Sequence, residues 1–121
     1  LAPYSQTKVV RVLQGEVLDV AVDLRKGSKT FGQSFSAILS SDNKRQLLIP
    51  KGFAHGFAVL SQEAVFYYKC DEIYMPASER GILFNDPELD IDWRVPENNR
   101  IISDKDKLLP EFSMAEMNFN L

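Results

Sequence analysis

The strongest constraint on the fold of this 121-residue chain is the alternation of side chains along residues 16–24 (EVLDVAVDL). Side chains of a β-strand point in turn to the two faces of its sheet, so a period of two predicts a strand rather than a helix. One face would carry two carboxylates among small aliphatic residues, and the other face would be entirely aliphatic. The two sets are Val17, Asp19, Ala21 and Asp23 against Leu18, Val20, Val22 and Leu24.

Six further short runs have strand-like composition and are separated by turn residues: 8–13, 35–39, 46–49, 54–60, 65–70 and 81–84. Gln14-Gly15 and the segment 61–63 predict hairpins between the runs that they join. A short helix is expected only in the C-terminal tail, at residues 113–117. Short, evenly spaced strands without a long helix predict an all-β sandwich or barrel, as a single domain over residues 1–121.

Composition excludes several classes of function. The net charge of −3 and the pI near 5.1 argue against nucleic-acid binding, because contacts to phosphates need a basic surface. No apolar run of about 18 residues is present, so no membrane-spanning segment is expected. The single cysteine, Cys70, cannot form a disulfide within the chain, which suits a reducing cytoplasm.

The only histidine, His55, lies in the run IPKGFAHGF at residues 49–57. The Pro-x-Gly turn is followed by alternation, which predicts that His55, Phe57 and Val59 point to one face of a strand. The residues between them, at positions 54, 56 and 58, are all Ala or Gly, so only small groups should fit on the opposite face. An isolated histidine is usually a hydrogen-bonded core residue, but this neighbourhood favours a functional role.

Other chemistries find little support in the chain. A zinc or iron site usually needs two or three imidazoles, and this chain has one. Cys70 lies among bulky apolar residues and is better interpreted as a small core residue than as a nucleophile. The remaining candidates are polar side chains that could share a cavity, although each alone is equally typical of packing or a solvated surface. They are Lys8, His55, Tyr68, Tyr74, Glu79, Lys105 and Asp106.

Eight segments, in order along nearly the whole chain, resemble the dTDP-4-dehydrorhamnose 3,5-epimerase family. This family consists of sugar-nucleotide enzymes of the cupin, or jelly-roll, class. The segments are KVVRV at 8–12 with Gly15, DVAVDLR at 19–25, NKRQL at 43–47, IPKGFAHGF at 49–57, YKC at 68–70, ERGI at 79–82, NDP at 85–87 and SDKD at 103–106.

The resemblance implies a jelly-roll barrel that holds a dTDP-sugar substrate, usually in a homodimer. It also implies a role for each candidate residue. Tyr68 matches the acid that returns a proton to the sugar, and Lys8 and His55 match residues near the keto group of the substrate. Tyr74 matches an aromatic residue that stacks on thymine. Glu79 and Lys105 match further binding positions, and Asp106 matches the carboxylate that orients the catalytic base.

The implied reaction is inversion of carbon-3 and carbon-5 of dTDP-4-dehydro-6-deoxyglucose in deoxysugar biosynthesis. Both protons are α to the keto group, so removal of either gives an enolate, and protonation from the opposite face inverts the centre. A nearby ammonium group would stabilise the enolate charge, and no metal or redox cofactor is needed.

The chain departs from the family pattern at its start. The family's general base is a histidine in an Arg-Gly-Leu-His-type motif upstream of the position of Lys8, and this chain does not contain that motif. The base, its neighbouring arginine and the N-terminal strands are therefore expected to lie outside this chain. Without the family's opening strands, the sheet that begins at Lys8 is expected to present an unpaired edge, which favours association or aggregation. Without the base, we expect a rate lower by about 10²–10⁴-fold.

Two alternatives remain open. The chain could be a sugar-nucleotide-binding module without catalysis, which an upstream Arg-Gly-Leu-His motif would argue against. It could also belong to a relative with narrower chemistry. A mono-epimerase is compatible with these residues, whereas a 3,4-ketoisomerase is disfavoured because it would not need this tyrosine arrangement.

Overall fold

A computed structural model describes residues 1–120 of the chain. This part contains six strands: β1 (Lys8–Gln14), β2 (Glu16–Asp23), β3 (Ser34–Ser40), β4 (Gln46–Ile49), β5 (Phe53–Val59) and β6 (Val65–Cys70). The described helices are single turns: 3₁₀ turns at Pro76–Ser78, Glu97–Asn99 and Phe112–Met114, and the α-helical turn α1 at Asp104–Lys107. None of the helices in residues 1–120 has the length and hydrophobicity needed to cross a bilayer.

The strands form two three-stranded antiparallel sheets that pack face to face, which confirms the predicted all-β sandwich. Sheet A has the order β4-β1-β6, and sheet B has the order β3-β2-β5. The alternation predicted for β2 is also confirmed, because its carboxylate-bearing face points into the sandwich. The buried core between the sheets consists of Val10, Val12 and Ile49 from sheet A and Val17, Ala21 and Leu39 from sheet B.

The predicted hairpins at Gln14-Gly15 and at residues 61–63 are wrong, since each of these loops carries the chain from one sheet to the other. The two crossings pack together. Gly15 has φ of +84°, and a Cβ there would overlap the backbone oxygen of Glu63. The hydroxyl of Ser61 accepts a hydrogen bond from the amide of Glu16 at 2.9 Å. Only glycine combines this positive φ with such a close approach, so the residue that suggested a hairpin marks a sheet-to-sheet crossing.

The first strand is not itself the unpaired edge of its sheet. β1 is the central strand of sheet A, paired with β4 on one side and with β6 on the other. Sequence order gave no sign of this arrangement, because both partners follow β1 by more than thirty residues. The edges of sheet A are β4 and β6.

The outer face of sheet B is covered by the second half of the chain. Val22 and Leu24 pack against Phe112, Met117 and Phe119 of the tail. Further along the same face, a Cβ at Gly56 would lie 3.0 Å from the ring of Trp93. The expectation that only small groups fit on this side of β5 is therefore confirmed at Gly56. The indole of Trp93 also donates a hydrogen bond to the carbonyl of Phe84 at 2.7 Å.

Two smaller predictions are wrong. Residues 81–84 form no strand, because they pair with a loop: the amide of Leu83 donates to the carbonyl of Pro110 at 2.8 Å. Residues 113–117 form no helix beyond the 3₁₀ turn Phe112–Met114. The tail instead runs extended, and this lets its apolar residues reach sheet B over a longer distance than a helix would cover.

Candidate active site

Sheet A directs Lys8 and Tyr68 toward the interior of the sandwich. In the β1–β6 register, Tyr68 lies opposite the buried core residue Val10, and Lys8 lies opposite Cys70. Directly paired residues share a face of the sheet, so Lys8 and Tyr68 both face sheet B. Tyr68 is 58% exposed, which distinguishes it from a packed core tyrosine. Its neighbour Tyr67 points to the opposite, outer face of sheet A.

Sheet B supplies His55, which is held by a buried carboxylate. His55 on β5 lies opposite Ala21 on β2. Its Nε2 is 2.5 Å from Oδ1 of Asp19, the neighbour of Ala21 on the same face of β2. Asp19 is fully buried, whereas the imidazole is 13% exposed. The second oxygen of Asp19 has no hydrogen-bond partner among the described residues. The carboxylate therefore depends on His55 for its side-chain hydrogen bond.

Asp19 is a further candidate site residue, which the sequence reasoning missed. Its position on the carboxylate-bearing face of β2 was correctly predicted, but no role was assigned to it. A signal was present, because an isolated carboxylate among inward-facing aliphatic residues requires a buried partner. His55 is the only histidine in the chain and lies on a strand with the same alternation.

Aromatic rings fill the space between His55 and Tyr68. Phe66 on β6 stacks with Phe57 on β5, with ring centroids 4.6 Å apart and an interplanar angle of 14°. The same Phe66 ring lies 6.2 Å from His55 and 6.3 Å from Tyr68. The imidazole and the phenol thus lie on opposing sheets, on either side of one aromatic ring.

A second polar cluster joins Tyr74, Glu79 and Lys105. The Tyr74 hydroxyl donates to one carboxylate oxygen of Glu79 at 2.7 Å, and Lys105 Nζ donates to the other at 2.9 Å. The two hydrogen bonds hold the pKa of Glu79 below its ordinary value, and the nearby charge of Lys8 acts in the same direction. Conversely, the carboxylate raises the pKa of both Tyr74 and Lys105. Lys8 links this cluster to the interior of the sandwich.

A cleft of about 1420 Å³ runs past β5 and connects these groups. The candidate residues that line it are Lys8, His55, Glu79, Lys105 and Asp106. An adjoining cavity of about 220 Å³ is bordered by Tyr74 and shares Lys8 and Glu79 with the cleft. Tyr68 is outside both sets of lining residues, and Asp106 is an exposed residue of α1. The structure thus brings five of the seven candidates to one cleft and places Tyr74 beside it.

Within residues 1–120, no three His, Cys, Asp or Glu side chains come together as a metal-ion site. The candidate residues bring an imidazole, two ammonium groups and carboxylates to the cleft, and the guanidinium groups of Arg80 and Arg100 also line it. Such a set can bind a negatively charged ligand and can stabilise negative charge that develops on an oxygen.

Comparison with known proteins identifies the family. Residues 1–114 match the family model of dTDP-4-dehydrorhamnose 3,5-epimerase. The chain belongs to the dTDP-4-dehydrorhamnose 3,5-epimerase family. The dTDP-4-dehydrorhamnose 3,5-epimerase of Shigella flexneri is 56% identical over 106 residues, which are 88% of this chain and 58% of that protein.

Solved structures of this epimerase family share the fold. The enzyme of Elizabethkingia anophelis superimposes with a TM-score of 0.92 at 50% identity, over 93% of this chain and 62% of the other. The dTDP-6-deoxy-D-glucose-3,5-epimerase of Legionella pneumophila, in complex with dTDP-4-keto-L-rhamnose, superimposes with a TM-score of 0.89 at 53% identity. The match covers 93% of this chain and 59% of the other. The two sheets are therefore those of a cupin-like jelly roll. The chain spans about three fifths of the length of these relatives.

The Tyr74–Glu79–Lys105 cluster predicts a measurable change in titration. In the variant Glu79→Gln, the pKa of Tyr74 should fall toward its ordinary value, because the phenol loses its hydrogen bond to the carboxylate and the phenolate no longer meets the carboxylate charge. The phenol should thus ionise at lower pH than in the unsubstituted chain. NMR titration of ring-labelled tyrosine measures this change. Glu111→Gln, at an exposed position of the tail, is the control and should leave the curve unchanged. An unaltered Tyr74 curve in Glu79→Gln would show that the cluster does not persist in solution.

Proposed function

We propose that this chain forms the substrate-binding jelly roll of a cofactor-independent isomerase. The enzyme would epimerise dTDP-4-dehydro-6-deoxyglucose at carbon-3 and carbon-5, in biosynthesis of the dTDP-L-rhamnose type. Two observations together support the proposal: the chain belongs to this epimerase family, and imidazole, ammonium and carboxylate groups line one of its clefts. Relatives of known structure that carry dTDP-sugars support the choice of substrate.

Lys8 and His55 are proposed to bind the keto oxygen on carbon-4. Removal of a proton from either neighbouring carbon places negative charge on that oxygen, and an ammonium group together with an imidazole N–H would stabilise it. His55 uses Nε2 to bond Asp19, so its other ring nitrogen remains free to face the substrate. Asp19 fixes the orientation of the ring, because its carboxylate is fully buried and bonded to that one nitrogen.

Tyr68 is proposed to return the proton to the sugar. It faces the sandwich interior from sheet A, across the Phe66 ring from His55, and much of its surface is exposed. A donor on one face of the sugar inverts a centre only if the proton was removed from the other face. The proposal therefore includes a general-base histidine that lies outside this chain, with Asp106 as the carboxylate that orients it.

Tyr74, Glu79 and Lys105 are proposed to hold the nucleotide end of the substrate. Tyr74 borders the smaller cavity next to the cleft, where its ring could stack on thymine. The bridging carboxylate of Glu79 fixes both neighbours by hydrogen bonds. Lys105 contributes positive charge, which favours a diphosphate.

We further propose that two such chains form a homodimer in the cytoplasm, each contributing this stretch as one domain. The outer face of sheet A carries exposed apolar side chains, a feature typical of protein interfaces. They are Leu13, Leu48, Val65 and Tyr67. The lone cysteine, Cys70, suits a reducing compartment. Light scattering tests the assembly: the mass of two chains is expected, and a monomer at high concentration would contradict it.

Solvent exchange tests the proposed reaction. A chain extended by the upstream segment of the relatives is incubated in D₂O with dTDP-4-dehydro-6-deoxyglucose, and deuterium is expected at carbon-3 and carbon-5. The variant Tyr68→Phe should lose epimerised product by about 10²–10⁴-fold, because it removes the proton donor. Mass spectrometry and NMR of the sugar measure label and product.

Tyr67→Phe is the matched control, since Tyr67 is the adjacent residue on β6 and points to the outer face of sheet A. It should retain full activity. Label at only one carbon would indicate a mono-epimerase. Binding of the nucleotide without label at either carbon would identify a module that binds but does not catalyse. Equal activity in Tyr68→Phe and in the unsubstituted enzyme would refute the role of Tyr68.

A further inference from the structure

The stacked rings of Phe57 and Phe66 form an exposed apolar wall in the cleft. Phe66 packs against the core between the sheets, which fixes its ring. Phe57 lies on it at 4.6 Å and nearly parallel, yet remains 47% exposed and lines the cleft. Its centroid is 6.4 Å from that of His55. A half-exposed phenylalanine beside a functional imidazole presents a flat hydrocarbon surface to whatever the imidazole binds.

Apolar side chains adjoin this wall, and the loop residues Ser61, Gln62 and Glu63 also line the cleft. Val59, two residues beyond Phe57 on the same face of β5, is exposed and lines the cleft, and the partly buried Ala64, just before β6, lines it too. Polar side chains lie at the two sides of the wall, with His55 bound to Asp19 on one side and Tyr68 on the other. The wall therefore has no side-chain hydroxyl, amide or charge of its own to offer a ligand.

The proposed substrate has one small apolar group next to a reacting carbon. Carbon-5 of a 4-keto-6-deoxy sugar carries a methyl group, whereas the corresponding hexose carries a hydroxymethyl group. The other substituents of the sugar ring are oxygens that require hydrogen-bond partners. An aromatic wall accepts the methyl group and leaves an added hydroxyl without a partner, which is costly in a site from which water is excluded.

We propose that Phe57, supported by Phe66, is the residue that selects 6-deoxy sugars over 6-hydroxy sugars. This inference rests on the proposed function, because it assigns the subsite of that same ligand. It adds a specificity role to a residue that no step of the reaction requires. Hydrophobic surfaces reject an added hydroxyl only moderately, with discrimination of up to about 100-fold. The expected preference is therefore about 10- to 100-fold rather than absolute.

Binding of three nucleotides tests this inference on the chain as it stands. The probes are dTDP-quinovose, dTDP-glucose and dTDP alone. The first two differ only by the hydroxyl on carbon 6, and the third lacks the sugar. Isothermal titration calorimetry should give a Kd for dTDP-glucose about 10-fold or more above that for dTDP-quinovose. In Phe57→Asn, which offers a hydrogen-bond partner to the hydroxyl, the ratio of the two Kd values should fall toward one, and the Kd for dTDP should be unchanged.

Two further variants separate selectivity from general damage. Phe57→Leu keeps an apolar surface and should retain the preference for dTDP-quinovose. Phe35→Asn removes an exposed phenylalanine from β3, the opposite edge of the same sheet, outside the cleft lining, and should leave all three Kd values unchanged. Because Phe57 is half-exposed, its substitution should leave the circular dichroism spectrum unaltered.

The outcomes distinguish this inference from the function on which it rests. Binding of dTDP with equal Kd values for the two sugar nucleotides, or an unchanged ratio in Phe57→Asn, would overturn the role of Phe57 and leave the proposed function standing. Failure of the unsubstituted chain to bind dTDP or either sugar nucleotide would overturn both.

Discussion

The arrangement of the site depends on the two stacked crossings at Gly15 and at residues 61–64. Each takes the chain from one sheet to the other, and the close contact between Gly15 and the Glu63 backbone keeps the sheets in a fixed relation at that end. Between these loops, β1 and β6 lie in sheet A and β2 and β5 in sheet B, so that candidate site residues on each pair face those on the other. Lys8 and Tyr68 would not share an interior with His55 if these loops were ordinary hairpins.

The interior of the sandwich has two regions, a packed apolar core and a more polar opening. Val10, Val17 and Leu39 are fully or almost fully buried and join the sheets by apolar contact. Toward β5 and β6 the interior opens, and the aromatic rings of Phe57 and Phe66 separate the imidazole from the phenol. Asp19 lies where the two regions meet. A buried carboxylate there is tolerated because His55 bonds to it, so the same hydrogen bond satisfies the interior and orients the ring.

The strands were largely predictable from the sequence, because period-two alternation is a local property. Residues 46–49 and 65–70 form the strands predicted for them, and the inward set on β2 is the predicted one. Which strands pair with each other was not predictable in the same way. A short Gly-containing loop can join neighbours within a sheet or cross between sheets, and only long-range contacts, such as that of Gly15 with Glu63, decide between them. The position of β1 in the centre of sheet A follows from such contacts as well.

The candidate residues came from resemblance rather than from physical reasoning on single positions. Tyr74, Glu79 and Lys105 lie on loops and α1, where no periodicity could relate them, yet they share one hydrogen-bonded cluster. The contact of Asp19 with His55 could have been predicted by physical reasoning, because a buried carboxylate and the chain's single histidine on neighbouring strands are natural partners. Phe57 and Phe66 carried no distinct signal, since an exposed aromatic pair and a core pair have the same alternation in sequence.

The proposed site depends most directly on a His55 ring that faces the bound sugar. His55 is the only histidine, so its imidazole signals in an NMR spectrum need no assignment. Titration with dTDP-quinovose should shift these signals, and titration with dTDP alone should leave them nearly unchanged. Binding of dTDP-quinovose without any change at His55 would contradict the account.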